Sequence, residues 1–250
     1  MELFGEQRGF MKSGFFTKEW RAVKTDQARG LLQPPFEKPA DPSATIFDLP
    51  KPDRSVVVKP DLFSCMADRK SRRRFSEKPI SLEELSFLLW ATQGVRQVIP
   101  GRTYRSVPSA GSRHAFETYI AATHIAGLEP GIYRYLALSH RLVQVRQRED
   151  VAKDMVGAMG GVKWVKDAAA VFIWAAVAYR SEWRYNKEAA RVMLIDAGHV
   201  CQNLYLATEA IGCGTCAIGA YRQADIDNLL GLDGCEEYVV YCAPVGRPAA

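Results

Sequence analysis

The densest chemical signal in this 250-residue sequence is a run of cations in residues 69–74. Five positive charges fall within six residues there, and Ser71 stands among them. Such a run could form a solvated surface, a phosphate clamp, a nucleic-acid patch or a surface for an acidic partner. Nucleic-acid binding calls for cations spread along a face, whereas the planar fork of arginine matches two oxygens of one phosphate. The compact spacing therefore favours a single phosphate group. The cations are Arg69, Lys70, Arg72, Arg73 and Arg74.

Two glycine-containing segments stand out, and the small side chains of the first, residues 108–112, would let a backbone approach a flat ligand. Residues 108–112 are Pro-Ser-Ala-Gly-Ser, and residues 212–219 are Gly-Cys-Gly-Thr-Cys-Ala-Ile-Gly. Taken alone, the first segment also fits an ordinary loop. The second holds the C-x-x-C pair Cys213 and Cys216, but no second such pair supplies the remaining ligands of a zinc site. We therefore expect buried thiols and no metal site, and the partial G-x-G is a weak dinucleotide signal.

A long segment, residues 188–211, predicts a helix that is apolar around most of its circumference. Helices of this kind are buried, often between subunits. His199 and Asn203 lie four residues apart in it, and therefore on one face. We interpret both as structural residues, hydrogen-bonded within the chain or across a subunit interface.

Composition excludes several classes of protein. Hydrophobic residues make up 48% of the chain and charged residues 24%, with a net charge of +5. These values exclude overall disorder, and six cysteines are too few for a disulfide-stapled miniprotein. The longest apolar run, residues 168–178, is shorter than the roughly 18–20 residues that a bilayer requires. Glu2, Glu6 and Arg8 interrupt any signal-peptide core, so we expect a cytoplasmic protein with no membrane partner.

The chain divides into a proline-rich N-terminal arm, residues 1–60, and a domain, residues 61–250. The arm holds about half of the 13 prolines, and proline disfavours regular hydrogen-bonded structure. We expect the arm to begin with a short helix and then to cross the surface of the domain in extended form. Its candidate anchors are Leu3, Phe4, Phe10, Phe15, Phe16 and Trp20.

Helical and strand patterns are interspersed along the domain, which indicates an α+β or α/β class. Ser81 and Glu84 form a capping box ahead of a helix that Gly94 ends. Alternating and fully apolar runs predict strands. The predicted helices cover residues 61–69, 82–93, 148–159, 188–211 and 222–230, and the predicted strands cover residues 116–124, 131–135, 141–145, 168–179 and 237–245.

Six segments, taken in order, resemble the nitroreductase family, and most of all its SagB-type dehydrogenase branch. Each segment alone is an unspecific motif, but six segments in the family's order make a specific match. The match extends from about residue 61 to the C-terminus. The segments are residues 69–75, 108–111, 131–135, 197–204, 218–221 and 245–248.

The resemblance implies an α+β nitroreductase-like fold, with a mixed, mainly antiparallel sheet flanked by helices, in an intertwined homodimer. Two FMN molecules would lie at the dimer interface, and the long helix through His199 would form the dimer core. The implied contacts to the FMN phosphate and ribityl chain come from Arg69, Ser71 and Arg73, with Lys70 beside them and Arg247 as a second phosphate contact. The implied contacts to the ring come from Pro108, Ser109, Ala110 and Gly111 of the second subunit on one face, and from Ile218, Gly219 and Ala220 on the other.

The resemblance also implies an FMN-dependent oxidoreductase that takes hydride from NAD(P)H and reduces a small acceptor of the nitroaromatic or quinone type. Substrate choice would lie in loops above the flavin, with residues 97–105 and 180–187 as candidates. Branch members that oxidise azoline rings in peptides carry a Lys-Tyr pair, which matches Arg184 and Tyr185 here. Arginine is a poor general base, which counts against azoline oxidation, although Tyr185 could still position or protonate a substrate.

Two alternatives stay open at this stage. The first is a SagB-type flavin dehydrogenase that oxidises a peptide azoline or another metabolite. The second is a flavin-binding or nucleic-acid-binding module without turnover. The preferred interpretation expects a small-molecule substrate and no nucleic acid.

Overall fold

The strand patterns of the domain assemble into one seven-stranded sheet in the computed structural model, which describes residues 4–249. The strands are β1 (Ile46–Asp48), β2 (Val95–Ile99), β3 (Arg102–Arg105), β4 (Phe116–Ala122), β5 (Gly131–Leu136), β6 (Arg141–Gln147), β7 (Ala170–Val177), β8 (Gly214–Thr215) and β9 (Glu237–Gly246). The sheet has the order β1-β6-β5-β4-β7-β9-β8, and its paired strands are antiparallel. β2 and β3 form a separate hairpin.

Eight α-helices are described within residues 4–249. They are α1 (Gly5–Phe10), α2 (Lys18–Ala22), α3 (Leu62–Asp68), α4 (Leu82–Gln93), α5 (Val151–Ala158), α6 (Tyr179–Tyr185), α7 (Ala189–Ala210) and α8 (Gln223–Leu230). The predicted capping box begins α4: Ser81 Oγ accepts the Glu84 amide at 3.2 Å, and Glu84 accepts the Ser81 amide at 2.8 Å. In the described residues, no helix combines the length and apolarity needed to cross a bilayer.

The central strand β7 is apolar on both faces because helices cover both sides of the sheet. Phe172 and Trp174 belong to a core cluster that includes residues of α4 and α7. Val171 and Ile173, which alternate with them, belong to a second cluster that includes residues of α5 and α8. The domain is therefore a three-layer α+β fold, and α7 is the long element beneath one face.

Two segments expected to be loops are ordered elements. Residues 97–105 belong to the β2–β3 hairpin, and most of residues 180–187 belong to α6. Pairing between β2 and β3 forms the hairpin, and burial of Arg180 holds α6 against the domain. Neither segment has a clear strand or helix pattern in its sequence. The helix predicted from residue 148 begins at Val151 instead, because β6 extends to Gln147.

The arm contains two short helices rather than one, and its β1 joins the sheet edge beside β6. Among the candidate anchors, Phe15 and Trp20 are half-buried, with ring centroids 4.8 Å apart. Phe4, Phe10 and Phe16 are exposed, and Leu3 lies outside the described residues.

Buried arginines of the domain bind the backbone of the arm. Each donates hydrogen bonds to carbonyl groups in residues 35–39, at distances of 2.7–3.0 Å. An extended, proline-rich segment has few internal hydrogen bonds, so its carbonyl groups are available to such donors. The pairs are Arg180 with Pro35, Arg105 with Phe36, and Arg134 with Lys38 and Pro39.

Candidate functional site

The basic cluster begins at the end of α3 and continues as an extended segment along the sheet edge. Asp61 caps α3 by accepting two backbone hydrogen bonds. After the helix, Ser71 forms a parallel bridge with Thr215 of β8, and the Arg72 amide donates to the Thr215 carbonyl at 2.9 Å. Successive side chains of an extended segment point to opposite sides. This alternation separates Arg72 from its neighbours Ser71 and Arg73.

Ion pairing divides the five cations of the cluster into two groups. Arg72 Nη2 lies 3.3 Å from Oε2 of the buried Glu209 on α7, and Glu209 also pairs with Lys59 at 2.9 Å. Gly214 permits this approach, since a Cβ at that position would lie 2.3 Å from Arg72 Cδ. Within residues 4–249, the other four cations have no carboxylate partner: Arg69, Lys70, Arg73 and Arg74.

Tyr205 on α7 connects the basic cluster to the segment after β8. Its hydroxyl lies 3.0 Å from Ser71 Oγ and accepts the Ala217 amide at 2.9 Å. The Arg69 guanidinium lies over its ring, 5.3 Å from the centroid, which is within cation–π range. Because a cation–π contact consumes no N–H donor, the guanidinium can still donate hydrogen bonds to a ligand. Tyr205 thus positions both Arg69 and Ser71.

The segment after β8 presents backbone amides to solvent. Ile218 is buried and exchanges backbone hydrogen bonds with Cys242 of β9, at 2.7 and 3.2 Å. Gly219 and Ala220 are exposed, and their amides donate to no acceptor within the described part of the chain. A ligand packed against this turn would therefore meet free N–H groups.

The C-x-x-C thiols are buried, as predicted. Cys213 and Cys216 are 1% and 3% exposed, and both are unbonded thiols. Burial raises the pKa of Cys213 to about 12. A thiol with such a pKa is protonated at neutral pH and is a poor nucleophile. Among residues 4–249, no group of three His, Cys, Asp or Glu side chains is placed to hold a metal ion.

Arg247 at the end of β9 is bound by protein acceptors. Its guanidinium forms an ion pair with Glu84 of the α4 capping box, and its Nη1 donates to the Ile211 carbonyl at 2.9 Å. Its own carbonyl accepts the Ser76 amide at 2.9 Å, so it lies next to the basic cluster. This arrangement gives Arg247 a structural role at the sheet edge, and its contact with phosphate stays a prediction.

Residues 108–111 form a loop that is bound to the N-terminal half of α7. Asp196 accepts a hydrogen bond from Ser109 Oγ at 2.6 Å and one from the Ala110 amide at 3.1 Å. Burial raises the pKa of Asp196, although these hydrogen bonds oppose the shift. Pro108 and Gly111 remain exposed on the loop.

Gly111 lies against α6 with a φ of 55°, a conformation that favours glycine. A Cβ at this position would lie 2.5 Å from the Tyr185 hydroxyl and 2.6 Å from Arg184 Nε. Arg184 also donates to Gln27 of the arm at 2.9 Å. The structure therefore brings Tyr185 beside the predicted ring-binding loop, while Arg184 binds the arm.

The two groups of predicted site residues contact different parts of α7. The loop binds at Asp196 and the basic cluster binds at Tyr205, nine residues later. At about 1.5 Å per residue, these contacts are about 13 Å apart along the helix axis. Within one chain, Arg69, Ser71 and Ala217 contact Tyr205, whereas Ser109 and Ala110 contact α7 at Asp196.

Within the single chain α7 is buried on one side only, and its burial between subunits stays a prediction. Leu194 and Ile195 are 50% and 47% exposed, and His199 is exposed as well. The sheet and α4 cover only one side of the helix, on which Asn203 Nδ2 donates to the Ala91 carbonyl at 2.9 Å. The structural role predicted for Asn203 is confirmed, whereas His199 lies at the uncovered face.

Comparison with known proteins identifies the family. Residues 66–247 match the model of the nitroreductase family. The chain belongs to the nitroreductase family. A protein of Methanocaldococcus jannaschii named as a nitroreductase is 32% identical over 201 residues, which are 80% of this chain and 96% of that protein. Membership of the family indicates an oxidoreductase.

Two further relatives are longer than this chain. A crystal structure of a nitroreductase homologue from Anabaena variabilis superposes with a TM-score of 0.70 and 26% identity, covering 83% of this chain and 42% of that one. The trifolitoxin-processing protein TfxB of Rhizobium leguminosarum is 29% identical over 158 residues, which are 60% of this chain and 41% of that protein. The chain spans less than half the length of either protein.

Two residues that position the candidate site in this nitroreductase-family chain were not predicted from the sequence. Asp196 lies one residue before the motif at 197–204, and Tyr205 lies one residue after it. Helical spacing alone cannot identify their partners. Asp196 binds Ser109, 87 residues away in sequence, and Tyr205 binds Ser71, 134 residues away.

We expect Tyr205→Phe to weaken the junction between the basic cluster and the segment after β8. The substitution leaves the ring under Arg69 but removes the acceptor of the Ala217 amide, so the free energy of unfolding should fall by about 1–2 kcal/mol. Urea denaturation followed by circular dichroism measures the change. Tyr238→Phe is the control, since the described residues give its hydroxyl no hydrogen bond. Equal stability of the two variants would contradict the role of Tyr205.

Proposed function

We propose that this nitroreductase-family protein is an FMN-dependent oxidoreductase that uses NAD(P)H to reduce a small nitroaromatic or quinone-type acceptor. The observation that carries the proposal is the division of the basic cluster. Glu209 neutralises Arg72, while Arg69 and Arg73 keep unpaired donors on either side of Ser71. A phosphate monoester carries nearly two negative charges, and charge-assisted hydrogen bonds are about twice as strong as neutral ones.

The donor set around Tyr205 fits FMN. Arg69, Lys70 and Arg73 suit its phosphate, and the Ser71 hydroxyl suits its phosphate or ribityl chain. Gly219 and Ala220 follow Ala217, whose amide donates to the Tyr205 hydroxyl, and both residues are exposed. Their free amides would favour negative charge on a bound ring. Small side chains at these positions leave room for a flat ligand.

Bound FMN would supply the hydride chemistry, so the protein requires no nucleophile of its own. The chain's residues would bind and orient the reactants. Tyr185, with its hydroxyl beside Gly111, would position an acceptor or donate a proton to it. Burial raises the pKa values of Cys213 and Cys201, which agrees with a site that makes no use of thiolates.

A homodimer would complete the site. In one chain the 108–111 loop is distant from the basic cluster, so a second copy would have to bring its own loop over the ring. The uncovered face of α7, with Leu194 and Ile195, and the exposed Phe63 and Met66 of α3 supply apolar surface for such a contact. Large exposed apolar patches mark interaction surfaces.

The proposal is tested with the purified full chain incubated with FMN and passed through a desalting column. We expect a yellow, dimeric protein whose visible absorbance from oxidised flavin disappears when NADPH or NADH is added without oxygen. A nitroaromatic compound or quinone should then restore the colour. A folded protein that retains no FMN, or retains it and cannot be reduced by either nucleotide, would contradict the proposed function.

A second candidate function is that of a SagB-type flavin dehydrogenase acting on a peptide azoline or another metabolite. The similarity to a trifolitoxin-processing protein favours it. Arg184 argues against azoline oxidation, because an arginine bound to Gln27 and close to Tyr185 is a poor general base. Reduction of bound FMN by an azoline-containing peptide, without reduction by NAD(P)H, would select this alternative.

A further inference from the structure

The arm places aromatic rings against the candidate site. Phe15 lies edge-on to Tyr185, with ring centroids 5.9 Å apart, and Trp20 lies edge-on to Phe15 at 4.8 Å. The hydroxyl of Tyr185 also lies against Gly111 of the 108–111 loop. The family model begins at residue 66, so the arm is an addition to the part of the chain that matches the family. The arm thus supplies this chain with a surface that the matched core does not contain.

Phe16 is held outward in a conformation that its side chain disfavours. Residues 14–17 form a turn in which the Thr17 amide donates to the Gly14 carbonyl at 3.4 Å. Phe16 occupies the third position with a φ of 68°, where glycine is the usual residue. A bulky residue with positive φ is a genuine outlier, and such strain concentrates at functional sites. The ring is 77% exposed, so burial in this chain does not account for it.

The turn is fixed to the domain independently of these rings. Thr17 caps α2, and the backbone amide of Gln27 donates to the backbone carbonyl of Trp183 at 2.8 Å. Further along, the carbonyls of residues 35–39 are bound by buried arginines. Substitutions at Phe15 or Phe16 therefore leave the attachment of the arm in place.

We propose that the 14–17 turn forms one wall of the acceptor site and that Phe16, supported by Phe15, selects planar aromatic acceptors by ring contact. The inference rests on the proposed function, because the flavin is expected to lie against the Gly111 loop that Tyr185 contacts. An aromatic pair contributes about 0.5–1.5 kcal/mol beyond the area it buries. Removing the Phe16 ring should therefore raise the KM of a fused-ring acceptor about three- to tenfold, and that of a one-ring acceptor much less.

The test compares 9,10-phenanthrenequinone with 1,4-benzoquinone in Phe16→Gly, Phe16→Tyr and Phe10→Ala variants of the full FMN-loaded chain. Phe16→Gly should lower the preference for the larger quinone through KM rather than through kcat. Because glycine suits the positive φ, this variant should match or exceed the thermal stability of the parent. Phe16→Tyr should keep the preference, and Phe10→Ala, which alters another exposed arm ring, should not change it.

Binding provides a second measurement that does not depend on turnover. Calorimetric titration of the oxidised protein with anthracene-2-carboxylate should show weaker binding in Phe16→Gly and no change with benzoate. If FMN binds and is reduced but neither the quinone preference nor anthracene binding changes, the acceptor-wall proposal is wrong and the proposed function stands. If the parent chain binds no FMN, both fail together.

Discussion

The double substitution Arg69→Ala and Arg73→Ala should weaken FMN binding by roughly 100-fold or more. Each arginine is expected to make at least one charge-assisted hydrogen bond to phosphate, and such bonds contribute about 1.5–3 kcal/mol each. Both side chains lack a carboxylate partner within residues 4–249, so their loss should leave the thermal midpoint nearly unchanged. Calorimetric titration with FMN measures the effect.

Riboflavin and a matched double variant make this prediction specific. Riboflavin lacks the phosphate, so its weaker binding should be similar in the parent and in the double variant. Arg74→Ala with Lys78→Ala removes the same charge from two exposed residues, the last cation of the cluster and a lysine four residues beyond it, and should reduce FMN affinity only a few-fold. Equal losses for the two double variants would show that net charge, and not a phosphate contact at Arg69 and Arg73, governs binding.

The second large effect is expected at Glu117, which lies at the centre of the contact between the arm and the domain. Glu117 is 3% exposed and binds Arg180 at 2.5 Å, Arg134 at 3.0 Å and the Lys38 amide at 2.7 Å. Glu117→Gln should lower the free energy of unfolding by about 3–5 kcal/mol, because it leaves buried guanidinium groups without a counter-charge. Urea denaturation measures the loss.

The arm itself should be released in this variant, since the same arginines bind its carbonyls. We expect faster chymotryptic cleavage after Phe36 under native conditions, because Phe36 lies between the carbonyls that Arg180 and Arg134 bind. Asp154→Asn is the control, because it breaks a more exposed ion pair with Arg148 that should contribute about 0–1 kcal/mol. A Glu117→Gln variant as stable as this control would show that the cluster around Glu117 does not hold the arm.

The contribution of Glu117 should depend on pH in a defined direction. Burial alone would raise the pKa of Glu117, but the charges of Arg180 and Arg134 outweigh it and hold the pKa below its ordinary value. The stabilisation is therefore complete above the carboxyl pKa of an unfolded chain, about 4.3, and is lost as the pH falls through the lowered value in the folded state. The stability difference between parent and Glu117→Gln should be constant near neutrality and shrink under acid. A difference that grows under acid would contradict this sign.

Patterns of short range in the sequence determined much of the fold. The capping box at Ser81 and Glu84 begins α4 as predicted, and the all-apolar run around Phe172 is the central strand. These elements depend on capping, period and burial within about ten residues, which are properties of the local chain. The order of the six motifs likewise identified the family, which the comparison confirms.

Only the tertiary structure decided which residues of the candidate site act together. The arginines of the basic cluster have identical side chains. Even so, Glu209 neutralises Arg72, and Tyr205 lies under Arg69. Both partners come from a helix more than 130 residues away in sequence. Glu84 likewise binds Arg247, which the sequence assigned to phosphate. The sequence determined which chemistry is available, because charge and side-chain type are local properties. The fold decided where each group points, because ion pairs and ring contacts form between segments that only folding brings together.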